Sequence, residues 1–220
     1  MSIDHHPNSE LTLDYATGAL SEARSLSIAT HLALCPACRR AVAEVEAVGG
    51  SLLETAPSTP MASDALDVIM ARLEMPPVGQ IKLQTSRNLN DNHYVLPNPL
   101  RSYVGGDAGD LNWQRLGLGA YQFLIPTGDK GAVARLLRIP AGRPVPMHSH
   151  RGTELTLILS GDFSDATGHY RRGDLQEADE KLTHQPHADP GQDCICLAVT
   201  EGPLRFSSLA ARLVQRFLGI

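Results

Sequence analysis

The 220-residue chain reads as a multidomain α + β protein: a small helical bundle followed by an all-β sandwich or barrel. Three observations predict this. Apolar residues recur at helical spacing up to residue 75. Beyond residue 99, short apolar runs alternate with Gly, Pro and Asp, as in a protein of short strands and turns. Between them lies "PPVGQIKLQTSRNLNDNHYVLPN", polar and rich in Pro and Asn. The expected division is therefore 1–75 helical, 76–98 linker and 99–220 β.

In order, "ELTLDYATGAL" is a helix that stops at Gly18. "SEARSLSIATHLALC" starts a second, with Ser21 as N-cap and Leu26, Ala29, Leu32 and Ala33 on one side. Pro36 suits the first turn of a third, "PACRRAVAEVEAVGGSLLE", which Gly49-Gly50 is expected to end or bend. "SDALDVIMARLE" is a fourth, with Ser63 as expected cap and a stripe of Leu66, Ile69, Met70 and Leu73. That stripe either completes the small core or lies against a partner. The β half holds "YQFLIPTGD", "AVARLLRIPAG", "TELTLILSGDF", "HYRRGD" and "DCICLAVTEGPLRF", strands separated by turn signals. There is no internal repeat.

Composition narrows the function classes. A hydrophobic content of 42% with 20% charged residues is that of an ordinary globular protein. A net charge of −5, with no lysine in residues 1–75, argues against direct nucleic-acid binding and against a zinc-finger DNA binder. No apolar run is long enough to span a membrane. The start "MSIDHHPNSE" lacks the features of a secretory signal, so the expected compartment is a reducing cytoplasm. Four cysteines there are expected as metal ligands, redox thiols or buried packing.

Two motifs carry chemistry. "HLALCPAC" places His31, Cys35 and Cys38 four and three residues apart, a spacing that can converge on one ion. A fourth ligand from the nearby pair His5 and His6 would complete a closed tetrahedral Cys2His2 zinc site. A redox Cys-x-x-Cys belongs at a strand-to-helix turn, whereas helical sequence lies on both sides here. Buried thiols without metal are the other alternative. The second motif is "GRPVPMHSHRGTELTLILSG", which reads G-x5-H-x-H-x3-E-x6-G. His148 and His150 share a strand face, and a turn at "RGT" can return Glu154 to the same cavity. His184 follows Gly173 by eleven residues. Three imidazoles and a carboxylate suit Zn, Fe, Mn or Ni. His93 and His169 match no motif and read as solvated; His187, three residues from His184, is ambiguous.

The second motif resembles the cupin superfamily of small jelly-roll barrels. The stretch matches the first cupin motif at every defining position. The second cupin motif is met at Gly173 and His184, with Asp179, Lys181 and Ala188 where Pro, Gly and Asn are usual; its spacing selects His184 over His187. The H-x3-C-x2-C of the N-terminal half resembles the zinc-binding anti-sigma domain. Together, "HH", "HLALCPACR", "VGGSLLE", "PVPMHSHRGTELTL" and "DCICLAVTEGPLRF" resemble the ChrR-type anti-sigma factors of bacteria. The resemblance implies a zinc-binding helical sigma-binding domain and a cupin-like regulatory domain. It implies zinc on His6, His31, Cys35 and Cys38, and a divalent metal, zinc favoured, on His148, His150, Glu154 and His184. The implied partner is an extracytoplasmic-function sigma factor, sequestered and then released on oxidative stress such as singlet oxygen. The competing expectation is a metal-dependent cupin dioxygenase or isomerase with a helical appendage.

Cys194 and Cys196 are two apart on an expected strand, so their thiols face one side, opposite Ile195 and Leu197. They either pack inside the barrel or sense oxidant. Same-face neighbours on one strand lie roughly 6.5–7 Å apart, too far for a disulfide with one another.

Overall fold

The computed structural model describes residues 2–75, 94–117 and 119–206. Among the described residues, five α-helices precede the strands. Helix α1 (Ser9–Ala16) is capped by Asn8, whose side chain accepts the Leu11 N–H. Helix α2 (Glu22–Leu34) starts after Ser21, as expected, but the Ser21 side chain makes no capping bond. The cap comes from the β half: the Asp129 carboxylate accepts the Glu22 and Ala23 N–H groups at 3.0 and 2.7 Å. Helix α3 (Pro36–Thr55) begins at Pro36 and runs through Gly49-Gly50 without ending. Helix α4 (Ala65–Glu74) has Asp64, not Ser63, at its N-cap, and none of its residues is buried. Of the two uses foreseen for its apolar stripe, completion of the core is therefore the wrong one.

Most of the expected linker, 76–93, lies outside the described residues, and so does His93. Leu96, near its end, is fully buried. Helix α5 (Asn98–Val104) follows, a short helix where strands were expected. Its Leu100 is fully buried against the bundle.

Eleven strands are described: β1 (Gln114–Gly117), β2 (Ala120–Ile125), β3 (Val133–Ile139), β4 (His148–Ser149), β5 (Glu154–Ser160), β6 (Phe163–Asp165), β7 (Gly168–Tyr170), β8 (Leu175–Ala178), β9 (His187–Ala188), β10 (Cys194–Thr200) and β11 (Arg205–Phe206). A six-stranded antiparallel sheet runs in the order β1-β2-β3-β10-β5-β8. The pairs β11-β4 and β7-β6-β9 form smaller sheets, and bridges at Pro144–His187 and His148–His184 add to them. This is the expected cupin-like jelly roll.

Alternation along β5 and β10 sends side chains to two different cores. Leu155, Leu157, Leu197 and Val199 pack with Leu26, Ile28 and Leu32 of α2 and with Leu96 and Leu100. Ile158, Cys194 and Cys196 pack inside the barrel against Phe163, Tyr170 and Ala188 of the smaller sheet. The helical half thus covers the outer face of the large sheet, and the two halves share one apolar core. Arg24 adds an ion pair across the join to Glu201 at 3.0 Å.

Candidate metal centres

The helical cluster forms where α2 ends and α3 begins. His31 lies in the last turn of α2; Cys35 ends α2 and caps α3; Cys38 lies in the first turn of α3. Pro36 supplies the sharp start that turns both thiols inward. His6 arrives on the extended segment before α1. Its Nδ1 lies 3.5 Å from Cys35 Sγ and 3.3 Å from Cys38 Sγ, and His31 Nε2 lies 3.3 Å from Cys38 Sγ. All four donor atoms fall within 4.8 Å of one another. With metal–ligand bonds of about 2.0–2.3 Å, the edges of a tetrahedral zinc site measure roughly 3.3–3.8 Å, so the donor set is spaced for such an ion. His5 is not part of it: its ring lies 4.3 Å from that of Tyr170.

His31, Cys35 and Cys38 are buried and His6 is exposed. Burial holds the His31 imidazole down at about 4, against its Gly173 hydrogen bond, so it is neutral and able to ligate near neutral pH. Nδ1 of His31 donates to the Gly173 carbonyl at 2.8 Å, which leaves Nε2 as the lone-pair nitrogen facing Cys38. Burial and the neighbouring Cys35 push the Cys38 thiol up to about 12. A metal entering this cluster must displace that proton.

The second cluster lies inside the barrel. His148 is on β4, His150 just beyond it, Glu154 opens β5, and His184 bridges back to His148. All four are buried. Nε2 of His184 stands 3.2 Å from His148 Nε2 and 3.1 Å from His150 Nε2. His148 Nδ1 donates to the Pro146 carbonyl at 2.8 Å, and His184 Nδ1 donates to Asp165 Oδ2 at 2.6 Å. With both rings neutral, these bonds turn the two Nε2 lone pairs toward each other, an arrangement that a cation between them would relieve. Burial lowers His148 and His150 to about 4. It raises Glu154 to about 7, against the Thr156 hydroxyl and the Arg135 charge. His150 Nδ1 is buried without a hydrogen bond, 3.7 Å from Glu154 Oε2. Neutral imidazoles, an orphaned nitrogen and a carboxylate that a cation would ionise all suit a divalent metal.

Asp165 was not foreseen. Burial pushes its carboxyl up, but bonds from Thr167, Gln176 and His184 outweigh this and hold it below the ordinary range. His169 is exposed, as its sequence context implies, and also paired, with Nε2 2.8 Å from Asp189 Oδ2 and 3.8 Å from Asp162 Oδ2. These three form a further group on the surface of the smaller sheet. His187 sits apart from the barrel cluster, half exposed and 3.7 Å from Asp189 Oδ1.

Cys194 and Cys196 are buried free thiols. Contact with Cys194, then burial, raises the Cys196 thiol far above its ordinary value. Both side chains are buried in the barrel core, as the packing explanation expects.

Comparison with known proteins places these features in context. Residues 102–205 match the ChrR cupin-like domain family. The chain is 46% identical, over the full length of both proteins, to the anti-sigma-E factor ChrR of Cereibacter sphaeroides. It also matches the crystal structure of Rhodobacter sphaeroides SigE in complex with the anti-sigma ChrR. That match has a TM-score of 0.78 at 44% identity and covers 90% of this chain and 99% of the other. Among the described residues, no helix is long and apolar enough to cross a membrane.

Proposed function

Since this chain belongs to the ChrR family of anti-sigma factors, we propose that it sequesters an extracytoplasmic-function sigma factor on its helical half. It releases that factor when the β half responds to oxidative stress such as singlet oxygen. Membership of this family also decides against a metal-dependent cupin dioxygenase or isomerase.

The observation that carries the reading is the apolar face of α4. Leu66, Ile69, Met70 and Leu73 are 67%, 51%, 52% and 73% exposed, and no α4 residue is buried. Val48, Leu52 and Leu53, on the last turns of α3, are exposed as well. An amphipathic helix of this kind fits a partner's groove, and Met70 adapts to an irregular surface. The proposed division of labour is that residues 1–75 bind the sigma factor, 76–98 connect, and 99–220 regulate.

His6, His31, Cys35 and Cys38 are proposed to hold zinc, because two thiolates and two imidazoles within reach of one ion are the donors of structural zinc sites. Bound there, zinc would supply folding free energy to a unit with a small core. His148, His150, Glu154 and His184 are proposed to hold a second divalent ion, zinc favoured. The protein is proposed to act in the cytoplasm by protein contact, without binding nucleic acid.

The test is capture of sigma factors by the tagged full chain from its own cells, followed by transcription from a cognate promoter with purified components. Co-purification of one sigma factor and loss of its transcription are expected. A chain that binds no sigma factor and leaves such transcription intact would refute the proposal.

A further inference from the structure

The turn entering β8 belongs to the β half, yet it is bonded to the helical cluster at several points. The Gly173 carbonyl receives His31 Nδ1–H at 2.8 Å. The Asp174 carboxylate receives the backbone N–H groups of Asp4 and His5, the two residues before His6, at 2.8 and 3.0 Å. Leu175 N–H donates to the His5 carbonyl at 3.1 Å. Two residues beyond His6, the Asn8 backbone and side chain donate to the Glu177 carboxylate at 2.9 and 2.7 Å. Gly173, at φ +95, admits Ile3 where a Cβ would stand 2.5 Å from its Cδ1. The backbone on both sides of His6 is thus tied to β8 and its turn.

We propose that Asp174, with the Gly173 carbonyl beside it, is a positioning element for the helical metal centre: it fixes where His6 stands and which nitrogen His31 offers. This rests on the reading that His6, His31, Cys35 and Cys38 hold a metal ion. Metal binding by the helices and docking of the β half then form one linked equilibrium, and each strengthens the other by the same factor. The same stretch reaches the second cluster. Gln176, two residues after Asp174, donates to Asp165 Oδ2 at 2.8 Å, the oxygen that holds His184 Nδ1. Residues Gly173–Gln176 therefore stand behind both histidines of the helical cluster and one of the barrel cluster.

The bland alternative is that these bonds only glue the two halves together. Co2+ titration of the full-length chain separates the two. Thiolate-to-cobalt absorption reports the helical cluster alone, because the barrel cluster has no sulfur. Affinity at that band, measured against a competing chelator, is compared in the parent, Asp174→Ala, Asp174→Asn and Glu177→Ala chains. Asp174→Ala should bind about 10–100-fold more weakly, the usual effect of losing an outer-shell partner. Asp174→Asn keeps an oxygen for the Asp4 and His5 N–H groups but sets its NH2 against the Arg171 N–H that donates to Oδ2 at 2.9 Å, so it should weaken Co2+ less than Asp174→Ala does. Glu177→Ala, altered at an exposed bond, should weaken Co2+ severalfold without changing the melting temperature of the metal-free chain. A folded Asp174→Ala chain within about twofold of the parent overturns the proposal. If Asp174→Ala does not fold, unchanged affinity in Glu177→Ala overturns it instead. Absence of the band in the parent chain overturns the metal reading and this inference with it.

Discussion

Replacing Leu66 and Leu73 together by alanine tests the docking face directly. These leucines are 67% and 73% exposed, so most of each side chain remains to be buried by a partner. Leucine exceeds alanine by three carbons, each contributing about 0.8 kcal/mol on full burial. With roughly two-thirds of that burial still to come, each substitution forfeits about 1.5 kcal/mol and the pair about 3 kcal/mol. That is on the order of a 100-fold weaker Kd. Because α4 buries nothing in the free chain, the melting temperature should not move. Isothermal titration against the purified sigma factor, with a thermal melt of each variant, reads both quantities. A double variant that binds within about threefold of the parent would place the interface elsewhere. A variant that melts several degrees lower would show that α4 supports the fold after all.

Other expectations follow from the same geometry. The Cys35→Ser, Cys38→Ser variant should lose the helical metal and destabilise that half, read as a fall from two bound zinc ions per chain to one by elemental analysis. Asp129→Ala removes the cap that the β half provides to α2; it should cost about 1 kcal/mol and lower the melting temperature by roughly 2–4 °C, with Asp129→Asn, which can keep one of the two bonds, falling between it and the parent. The metal-stripped chain should be acid-labile. His31, His148 and His150 are lowered from 6.5 to about 4, so the unfolded chain binds their protons first, and the stability they confer above pH 6.5 is lost as pH falls toward 4. Glu154, raised from 4.5 to about 7, works in the opposite direction between those values. The net excess of about two protons predicts a loss of at most ~3 kcal/mol per pH unit near pH 5.5. An unchanged urea midpoint in chelator between pH 7 and 5.5 would contradict the burial of these imidazoles.

Both clusters were legible because most of their ligands are close in sequence. His31, Cys35 and Cys38 bracket one helix break, and His148, His150 and Glu154 span one strand and turn. His6 and His184 needed the family resemblance, since spacing alone left His5 and His187 as alternatives. In the structure His5 turns to Tyr170, and His187 turns to Asp189. What could not be read joins distant residues. The Asp129 cap lies over a hundred positions from α2, and His184 meets Asp165 across the barrel. Leu155 and Leu197 show strand alternation without revealing that one face would meet helices. Helix α5 escaped notice because its seven residues, "NPLRSYV", hold too few turns for a periodic signal.

Among the described residues, the large sheet ends on β8, with no partner strand on its outer side. An open strand edge is a template for pairing with another chain. In the intact molecule residues 3–8 lie along the start of that edge, with the His5 carbonyl on the Leu175 N–H and Asn8 on Glu177. The N-terminal segment is therefore also a guard against self-association. A fragment cut to residues 99–220 would expose this edge beside the apolar face of Leu155, Leu157, Leu197 and Val199, and would recruit its own copies.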